Sequence, residues 1–367
     1  MPRSSPLPRT PRLPLFALFC AVAALALTAP AAEAQPFVSW ADFPGHPTHS
    51  YVNIPHHPSL NPTGAFTFEA WVKIANNVTG EDCRTIAGKN FLQAWWFGQC
   101  NVSGQPTLRS YLKGGASARN GGIIPRNVWT HVAVTFDGAN RRHYINGELA
   151  AIFPESGPLT TSTANVRIGS DISWQFSPNG EIDEVRLWNV ARTLSQIRST
   201  INVALTTDQP GLVSVWALNG NTVDVVGPHD GTVVGSIFAA TFPAVSSCSG
   251  FADANTLCLN NRFLVNIFWR TSPAALPPDG DGKVAVNTTN SGIFWFFSPD
   301  NWEVMVKALN GCGLNNRFWI FSAATTNVFY RMEVLDVSGA RQKIYFNYPG
   351  PPAPAVTDTS AFATCPP

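Results

Sequence analysis

Apolar and polar residues alternate along much of the chain with a period of two. The clearest case is the segment 66–73, in which every second residue is apolar: Phe66, Phe68, Ala70 and Val72. The segment 130–136 repeats the alternation before the turn Asp137-Gly138. Successive side chains of a strand point to opposite faces, so this period is typical of strands that turn one face to a core.

A hairpin and further strands follow in the same part of the chain. Asn146-Gly147 separates the runs 142–145 and 148–151, and both residues tolerate the positive φ that a tight hairpin turn needs. We predict additional strands at 165–169 and 181–188. One helix is expected, because Thr193 and Gln196 form a capping box ahead of the apolar Ile197 and Ile201. Many short strands with a single helix indicate a β-sandwich or jelly roll.

The segment 246–367 reads as a second, smaller β unit with a Pro-rich end. A linker at 242–247 precedes it, and the run Leu-Asn-Asn-Arg-Phe occurs at 259–263 and again at 314–318. The two copies reflect either a duplication or similar turn chemistry, since Asn-Asn before a strand suits a tight turn. Residues 292–297 are apolar at every position. They form either a strand buried between two sheets or one with an exposed aromatic face.

Composition narrows the class of protein. The 367 residues are 45% hydrophobic and only 13% charged, with 12 Trp and 24 Phe, which excludes a disordered chain. A formal net charge of +1 argues against nucleic-acid or anionic-membrane partners, which need a basic face.

The first 34 residues have the three parts of a secretory signal peptide. Arg3, Arg9 and Arg12 give a positive start, residues 13–27 are apolar, and Ala32-Glu33-Ala34 is a small-x-small cleavage site. We expect cleavage after Ala34 and a secreted, periplasmic or cell-surface protein without a transmembrane segment. The glycosylation sequons at Asn77, Asn101 and Asn287 matter only if the host glycosylates.

Cleavage would remove Cys20 and leave an even number of cysteines, which in an exported chain indicates disulfides. Six cysteines allow 15 pairings, and their positions favour one of them. A turn signal lies between Cys83 and Cys100, and another between Cys248 and Cys258, so each pair would meet across a hairpin. The third predicted bond joins Cys312 to Cys365.

Several motifs carry a resemblance to a known family. The segments 66–72, 129–138, 144–147, 180–189 and 212–218, with 229–232, resemble the laminin-G-like, concanavalin A-like jelly-roll family, and the likeness covers 36–243. It implies an all-β protein with a concanavalin A-like jelly-roll β-sandwich at 35–245. The part at 246–367 resembles a small all-β domain found at the ends of secreted bacterial proteins. The family fold hosts lectins, adhesion modules and glycosidases, so it does not select a function.

The resemblance suggests a catalytic strand but leaves it incomplete. Jelly-roll glycosidases resemble one another in carrying Glu-x-Asp-x-Glu, sometimes with a one-residue bulge, which aims three acids into one cleft. Glu181 and Asp183 match the first two, while the third position is Val185 or, with a bulge, Arg186. Glu184 is expected on the opposite face. We therefore expect no enzyme, with a glycoside hydrolase using Glu181 and Asp183 as the alternative.

The resemblance to pentraxins implies a possible calcium site on the loops at one face of the domain. The loop after the strand ending Ile168-Gly169 offers Ser170 and Asp171, and a neighbouring turn offers Asn90. Calcium takes six to eight oxygen ligands, so backbone carbonyls or water would supply the rest. Capping of its own loop by Asp171 is an equally good interpretation.

Aromatic residues provide a second route to a binding site. Trp95 and Trp96 point to opposite faces of their strand, so one should lie outside the core unless that sheet is covered, and Trp174 and Phe176 fall in a long loop. Sugar rings stack on exposed aromatic rings. We therefore expect a secreted, non-catalytic module that binds a glycan or an extracellular protein, with calcium as a candidate cofactor. A purely structural envelope or matrix component is the remaining alternative.

Overall fold

The computed structural model describes residues 37–45, 48–75, 83–172, 177–271, 280–350 and 352–366. The predicted signal segment 1–34 and the predicted ligand-binding residues Trp174 and Phe176 lie outside the described residues. None of the helices within these ranges is both long and apolar enough to cross a membrane.

The first part of the chain is built almost entirely of strands. Their bounds are β1 Trp40–Pro44, β2 Tyr51–Ile54, β3 Phe66–Ile74, β4 Cys83–Gly88, β5 Trp96–Val102, β6 Gln105–Tyr111, β7 Arg119–Ile123, β8 Thr130–Phe136, β9 Asn140–Ile145, β10 Glu148–Pro154, β11 Val166–Ile168, β12 Asn179–Trp188, β13 Leu212–Trp216, β14 Thr232–Val234 and β15 Phe238–Ala240. Helix α1, Leu194–Thr200, lies between β12 and β13.

These strands form two antiparallel sheets. In the described residues, one sheet has the order β10-β9-β8-β3-β12-β1-β15, with β13 also paired to β12, and the other has the order β14-β2-β11-β4-β5-β6-β7. Apolar side chains from both sheets share one core, in which Phe66, Phe68, Ala70 and Val72 of β3 are all buried. The alternation in the sequence therefore predicted the core face of β3, and the sandwich architecture is confirmed.

The predicted hairpin and helix are also present. Asn146 and Gly147 have φ angles of 50° and 71°, and they join β9 to β10. Thr193 accepts a hydrogen bond from the Gln196 backbone N–H while the Gln196 side chain accepts one from the Thr193 backbone, so the capping box starts α1.

The second part of the chain forms a second, smaller sandwich. Its strands are β16 Thr256–Leu259, β17 Phe263–Arg270, β18 Gly280–Asp281, β19 Lys283–Asn287, β20 Ser291–Ser298, β21 Asn301–Asn310, β22 Phe318–Ala324, β23 Phe329–Asp336, β24 Arg341–Asn347 and β25 Val356–Phe362, and helix α2 is Cys312–Asn315. One sheet has the order β16-β17-β23-β24, with β18 paired to β17, and the other has the order β19-β20-β21-β22-β25.

The repeated Asn-Asn runs adopt different turns. Asn260 and Asn261 both have positive φ and join β16 to β17, whereas only Asn316 of the second run has positive φ, where it ends α2. In both copies an asparagine adopts a positive φ, but the first copy forms a hairpin turn and the second ends a helix. The apolar run at 292–297 lies in β20, which buries Phe294 and Phe296 and leaves Phe297 exposed.

All three predicted disulfides are present. Cys83–Cys100 joins directly opposite residues of β4 and β5, Cys248–Cys258 closes a short loop, and Cys312–Cys365 spans 53 positions and holds the C-terminal segment. Cys83–Cys100 and Cys248–Cys258 could be predicted from the sequence because the two cysteines of each pair are close in the chain.

The two sandwiches touch through residues near the start of the described chain. Phe37 and Gln342 exchange two backbone hydrogen bonds, with N···O distances of 2.7 and 3.2 Å. The Asn202 side-chain amide donates to the Ile344 carbonyl at 2.5 Å. These contacts place β24 of the second sandwich against the outer side of the first sheet.

Candidate functional site

The predicted catalytic strand β12 lies on the outer side of the first sheet, where a second layer of residues covers it. We call this surface the covered face and define it by the outward-pointing side chains of β3, β8 and β12: Glu69, Trp71, His131, Asp183 and Arg186. The Trp71 indole donates to the Ile201 carbonyl at 2.9 Å and contacts Phe37 and Phe346.

A β-bulge in β12 sets the order of side chains on the covered face. Asp183 pairs with Trp71 and Arg186 pairs with Glu69, so three steps along β12 oppose two along β3. Glu184 occupies the bulge with a positive φ of 49°, and Val185 turns into the core. The bulged alternative is therefore the correct one, with Arg186 in the third position.

The expectation that Glu184 points to the opposite face is wrong. The bulge interrupts the period of two, and the Glu184 carboxylate accepts a hydrogen bond from the Arg186 guanidinium at 2.8 Å. Asp183, Glu184 and Arg186 line one small cavity as a result.

Glu69 is the centre of a buried charge network. Its carboxylate pairs with Arg192, and it lies 3.5 Å from the His131 ring and 3.9 Å from the Arg186 guanidinium. Burial would raise the pKa of Glu69, but the His131 hydrogen bond and the positive charge of Arg192 outweigh it and lower the pKa to about 2. Arg186 also donates to the Thr200 and Val203 carbonyls, at 2.9 and 2.6 Å. The network therefore fastens α1 and the turn after it to the sheet.

Asp183 has a different environment from Glu69. Burial, and then the neighbouring Glu184 charge, raise the pKa of Asp183 well above its usual range. Its Oδ1 is buried and has no hydrogen-bond partner among the described residues. A raised pKa favours the protonated carboxyl, which can donate a hydrogen bond as well as accept one. The cavity beside it, of about 20 Å³, has room for one water molecule or one hydroxyl group.

Residues of the segment 219–222 line both this cavity and a second depression. Asn219 and Asn202 line the cavity beside Asp183. The other depression, of about 70 Å³, is lined by Trp40, Asn221 and Thr222 together with apolar residues. Amide, hydroxyl and carboxyl groups thus line two hollows that share the segment 219–222. Such a surface can bind hydroxyl groups, and neither hollow can enclose a sugar ring.

Glu181 lies further along the same face with a cation beside it. Its carboxylate pairs with the Lys73 ammonium at 3.0 Å, and Asp42 is its cross-strand neighbour on β1. Burial raises the pKa of Glu181, the Lys73 hydrogen bond and charge lower it, and Asp42 raises it. Glu181 and Asp183 share a face, as predicted, but each has a separate partner or cavity.

The predicted calcium ligands form a tight loop contact. Asp171 is buried, and its two carboxylate oxygens accept the backbone N–H groups of Asn90 and Phe91, at 2.9 and 3.2 Å. The Ser170 hydroxyl donates to the Asp171 carbonyl at 3.4 Å. Within the described ranges, no group of three or more His, Cys, Asp or Glu side chains could hold a metal ion. The contact agrees with loop capping by Asp171, and calcium binding stays a prediction.

Trp95 and Trp96 lie on opposite sides of the sheet, as predicted, but both are buried because each side is covered. Trp95 packs in the core of the first sandwich, and its indole donates to the Leu60 carbonyl at 3.1 Å. Trp96 is on the other side of the sheet, where it packs with the Cys83–Cys100 disulfide and Tyr111. Gly98 makes room for the Trp96 ring, because a Cβ there would lie 2.2 Å from it. Neither ring is accessible for stacking on a sugar.

One constellation of polar residues was not anticipated from the sequence. His229 contacts the Asp224 carboxylate at 3.0 Å through Nδ1 and the Ser59 hydroxyl at 2.9 Å through Nε2, the arrangement of a Ser-His-Asp triad. However, the backbone N–H groups of Ser59 and Leu60 both bond to His57, so they do not form an oxyanion site. We interpret the cluster as a structural link between residues 170 positions apart.

The family comparison agrees with the fold. Residues 46–198 match the family described as the concanavalin A-like lectin/glucanases superfamily, in its laminin G type. The chain thus carries a laminin-G-like jelly-roll domain at these residues. No curated protein matches the chain.

Several solved structures resemble the chain at low identity. A Bacteroides ovatus protein with a proposed carbohydrate-binding role is 22% identical, with a TM-score of 0.46, over 55% of this chain, which spans 60% of that protein's length. A heptameric pentraxin from Limulus polyphemus is 15% identical, with a TM-score of 0.42, over 55% of this chain and 94% of its own. A carbohydrate-binding module of a Ruminococcus gnavus sialidase, bound to α2,3-sialyllactose, is 12% identical, with a TM-score of 0.34, over 46% of this chain and 99% of its own. Likenesses at this level assign no function to the chain.

Proposed function

Because residues 46–198 carry a concanavalin A-like jelly-roll domain, we propose that the protein is an exported, non-catalytic glycan-binding protein that holds a sugar across the turn Asn219–Thr222. The observation that carries the proposal is the buried Asp183 carboxyl, which lines a cavity and whose Oδ1 has no partner among the described residues. A buried polar atom without a partner costs free energy, which a ligand hydroxyl would recover.

The size of the hollows supports a shallow mode of binding. A cavity of about 20 Å³ beside Asp183 and one of about 70 Å³ beside Trp40 admit single hydroxyl or hydroxymethyl groups. The sugar ring would then lie over the turn, where Asn219 and Asn221 offer amide groups. Shallow contacts of this kind suit a binding module better than an enzyme, which must enclose its transition state.

Two features argue against the glycoside hydrolase alternative. Glycoside hydrolysis needs two carboxyl groups on either side of the bond that breaks. Glu181 is paired with Lys73, and the space beside Asp183 does not admit a glycosidic linkage. The third position of the strand is the cation Arg186, which cannot act as the general acid.

A glycan array with the mature chain 35–367, run with and without calcium, tests the proposal. We expect binding to a limited set of glycans, with an affinity about tenfold lower in Asn219→Ala, because hydrogen bonds to a ligand hydroxyl are lost. Asp183→Asn should retain binding, since the amide can donate and accept as the protonated carboxyl does, whereas Asp183→Ala should not.

Asn290→Ala, on an exposed turn of the second sandwich, and Asp208→Ala, on an exposed loop, are the matched controls. An array without any binding would overturn the proposal. Sugar release from a bound glycan would refute the non-catalytic part alone. A loss of binding on chelation would support calcium at Asp171, Ser170 and Asn90, and chelator-insensitive binding would exclude a calcium requirement.

A further inference from the structure

The second sandwich has an uncovered sheet face that is rich in aromatic residues. The outward side chains of β20, β21 and β22 form a continuous surface, which we call the aromatic strip: Trp295, Trp302, Met305, Leu309, Trp319 and Phe321. Cross-strand pairing joins Trp295 to Trp302 at one end and Leu309 to Trp319 at the other. Trp302 has 52% of its surface exposed, although a large aromatic side chain is usually buried.

Two of the indole rings are held in fixed orientations. The Trp302 N–H donates to the Pro299 carbonyl at 3.1 Å, and the Trp319 N–H donates to the Asn315 side chain at 2.9 Å. The indole N–H groups of Trp302 and Trp319 are thus hydrogen-bonded within the protein, and a ligand would contact only the ring faces. A surface ordered before binding loses little conformational freedom when a ligand arrives.

A groove lies along the middle of the strip. It has a volume of about 340 Å³ and is lined by Met305, Leu309 and Phe321, with the side chains of Lys307 and Thr357 at hand for polar contacts. Small-molecule sites usually measure about 300–1,000 Å³, so this groove is large enough for a ligand of modest size. It is far larger than the two hollows on the jelly roll.

The dimensions of the strip exclude several occupants. Trp302 and Leu309 are seven positions apart on β21, which corresponds to about 23 Å, and three strands span about 10 Å. The resulting area of roughly 230 Å² is well below the ~800 Å² that each partner buries in a standard protein interface. A stable dimer through this face is therefore not expected, and a narrow, extended ligand fits better.

The charge of the strip restricts the ligand further. Across the described strands β20, β21 and β22, Lys307 is the one charged side chain among the outward positions, and at the edge of the strip Lys283 of β19 pairs with Trp295 and donates to Asn255. Nucleic acids and anionic membranes need several basic contacts, which this surface does not offer. A chain of neutral sugars fits both the narrow shape and the low charge of the strip. Its C–H faces stack on aromatic rings, and its hydroxyl groups bond to scattered polar side chains.

We propose that the aromatic strip is a second binding site, which holds a neutral, linear polysaccharide along β21. The site is separate from the proposed one on the jelly roll, and neither depends on the other. Its ligand class follows from the row of ring faces, the low charge and the elongated shape of the surface.

Affinity electrophoresis and pull-down with microcrystalline cellulose, xylan, mannan and laminarin test this site on the mature chain. We expect retention by at least one of them, an approximately tenfold weaker affinity for each of Trp302→Ala and Phe321→Ala, and a larger loss for the double variant. Phe251→Ala is the matched control, because Phe251 is 55% exposed but lies outside the strip. Asn219→Ala should bind these polysaccharides normally, so that failure of one site is distinguishable from failure of the other.

Three results would overturn the proposal. The first is an unchanged affinity in the double variant, or no retention by any of the four polysaccharides. The second is a stronger, salt-sensitive retention by heparin, which would indicate an anionic ligand. The third is a dimer in light scattering, or co-sedimentation with phosphatidylcholine vesicles, that the double variant abolishes.

Discussion

The outer sheet faces of the two sandwiches are built in opposite ways. The covered face of the jelly roll carries buried charges such as Glu69 and Arg186, which are neutralised by one another and sealed by α1, Phe37 and β24. The aromatic strip of the second sandwich carries ring faces, and none of the described segments seals it as α1 and β24 seal the covered face. Buried charge is stable only when it is paired, whereas exposed rings remain free to meet a ligand. The comparison suggests that the charge network of the first face serves the architecture, apart from the cavity beside Asp183, and that the second face serves recognition.

Removal of Glu69 should have the largest effect on stability. Glu69→Gln leaves the buried Arg192 guanidinium without its counter-charge, so we expect a loss of about 3–5 kcal/mol in the free energy of unfolding by urea. Asp137→Asn is the control, because its ion pair with Arg142 is partly exposed, and it should cost less than about 1 kcal/mol. Similar losses for both variants would contradict the role assigned to the network.

The same carboxylate makes the covered face sensitive to acid. The pKa of Glu69 is lowered from 4.5 to about 2 in the folded protein. Its contribution is therefore fully present above pH 4.5 and is lost as the pH falls through that value towards 2, an effect of about 3 kcal/mol. Urea unfolding between pH 2 and pH 6 should show this slope in the wild type. A Glu69→Gln variant with the same slope would show that other groups cause it.

A polar substitution should lower the free energy of unfolding more at the covered face than at the aromatic strip, although by less than the loss of Glu69 does. Ile344→Gln places an amide in the sealed contact with the covered face, and we expect a loss of about 2 kcal/mol. Met305→Gln on the aromatic strip should change the free energy of unfolding by less than about 0.5 kcal/mol, because Met305 is already exposed. A large loss in Met305→Gln would indicate that another part of the protein covers the strip.

The sequence predicted features that depend on neighbouring residues. The alternation at 66–72, the Asn146-Gly147 turn and the Thr193–Gln196 capping box are local, and each is present in the structure. The disulfides across turns belong to the same class, since opposite residues of a hairpin meet regardless of the rest of the fold.

Other features were left open or missed. The sequence left the bulge in β12 open, because the residue with the positive φ is Glu184 and no glycine marks it. Burial of Trp96 depends on the absence of a side chain at Gly98 and on packing with Tyr111. Ser59 and His229, which are in contact, lie 170 positions apart in the chain. The hydrophobic period of a strand and the residues of a turn carry no information on which surface a later segment will cover. The packing of Phe346 on Trp71 could therefore not be predicted from the sequence.

The backbone pairing of Phe37 with Gln342 has a mechanical consequence. Residue 37 precedes the whole jelly roll, yet its two hydrogen bonds attach it to β24 of the second sandwich. A force that pulls on the chain at residue 37 would therefore act on β24 of the second sandwich as well as on β1 of the first. Release of these two bonds would lift Phe37 from Trp71 and Trp129 while both hydrophobic cores remained intact. The pairing is thus a small contact between the two sandwiches, made of two backbone hydrogen bonds that belong to neither core.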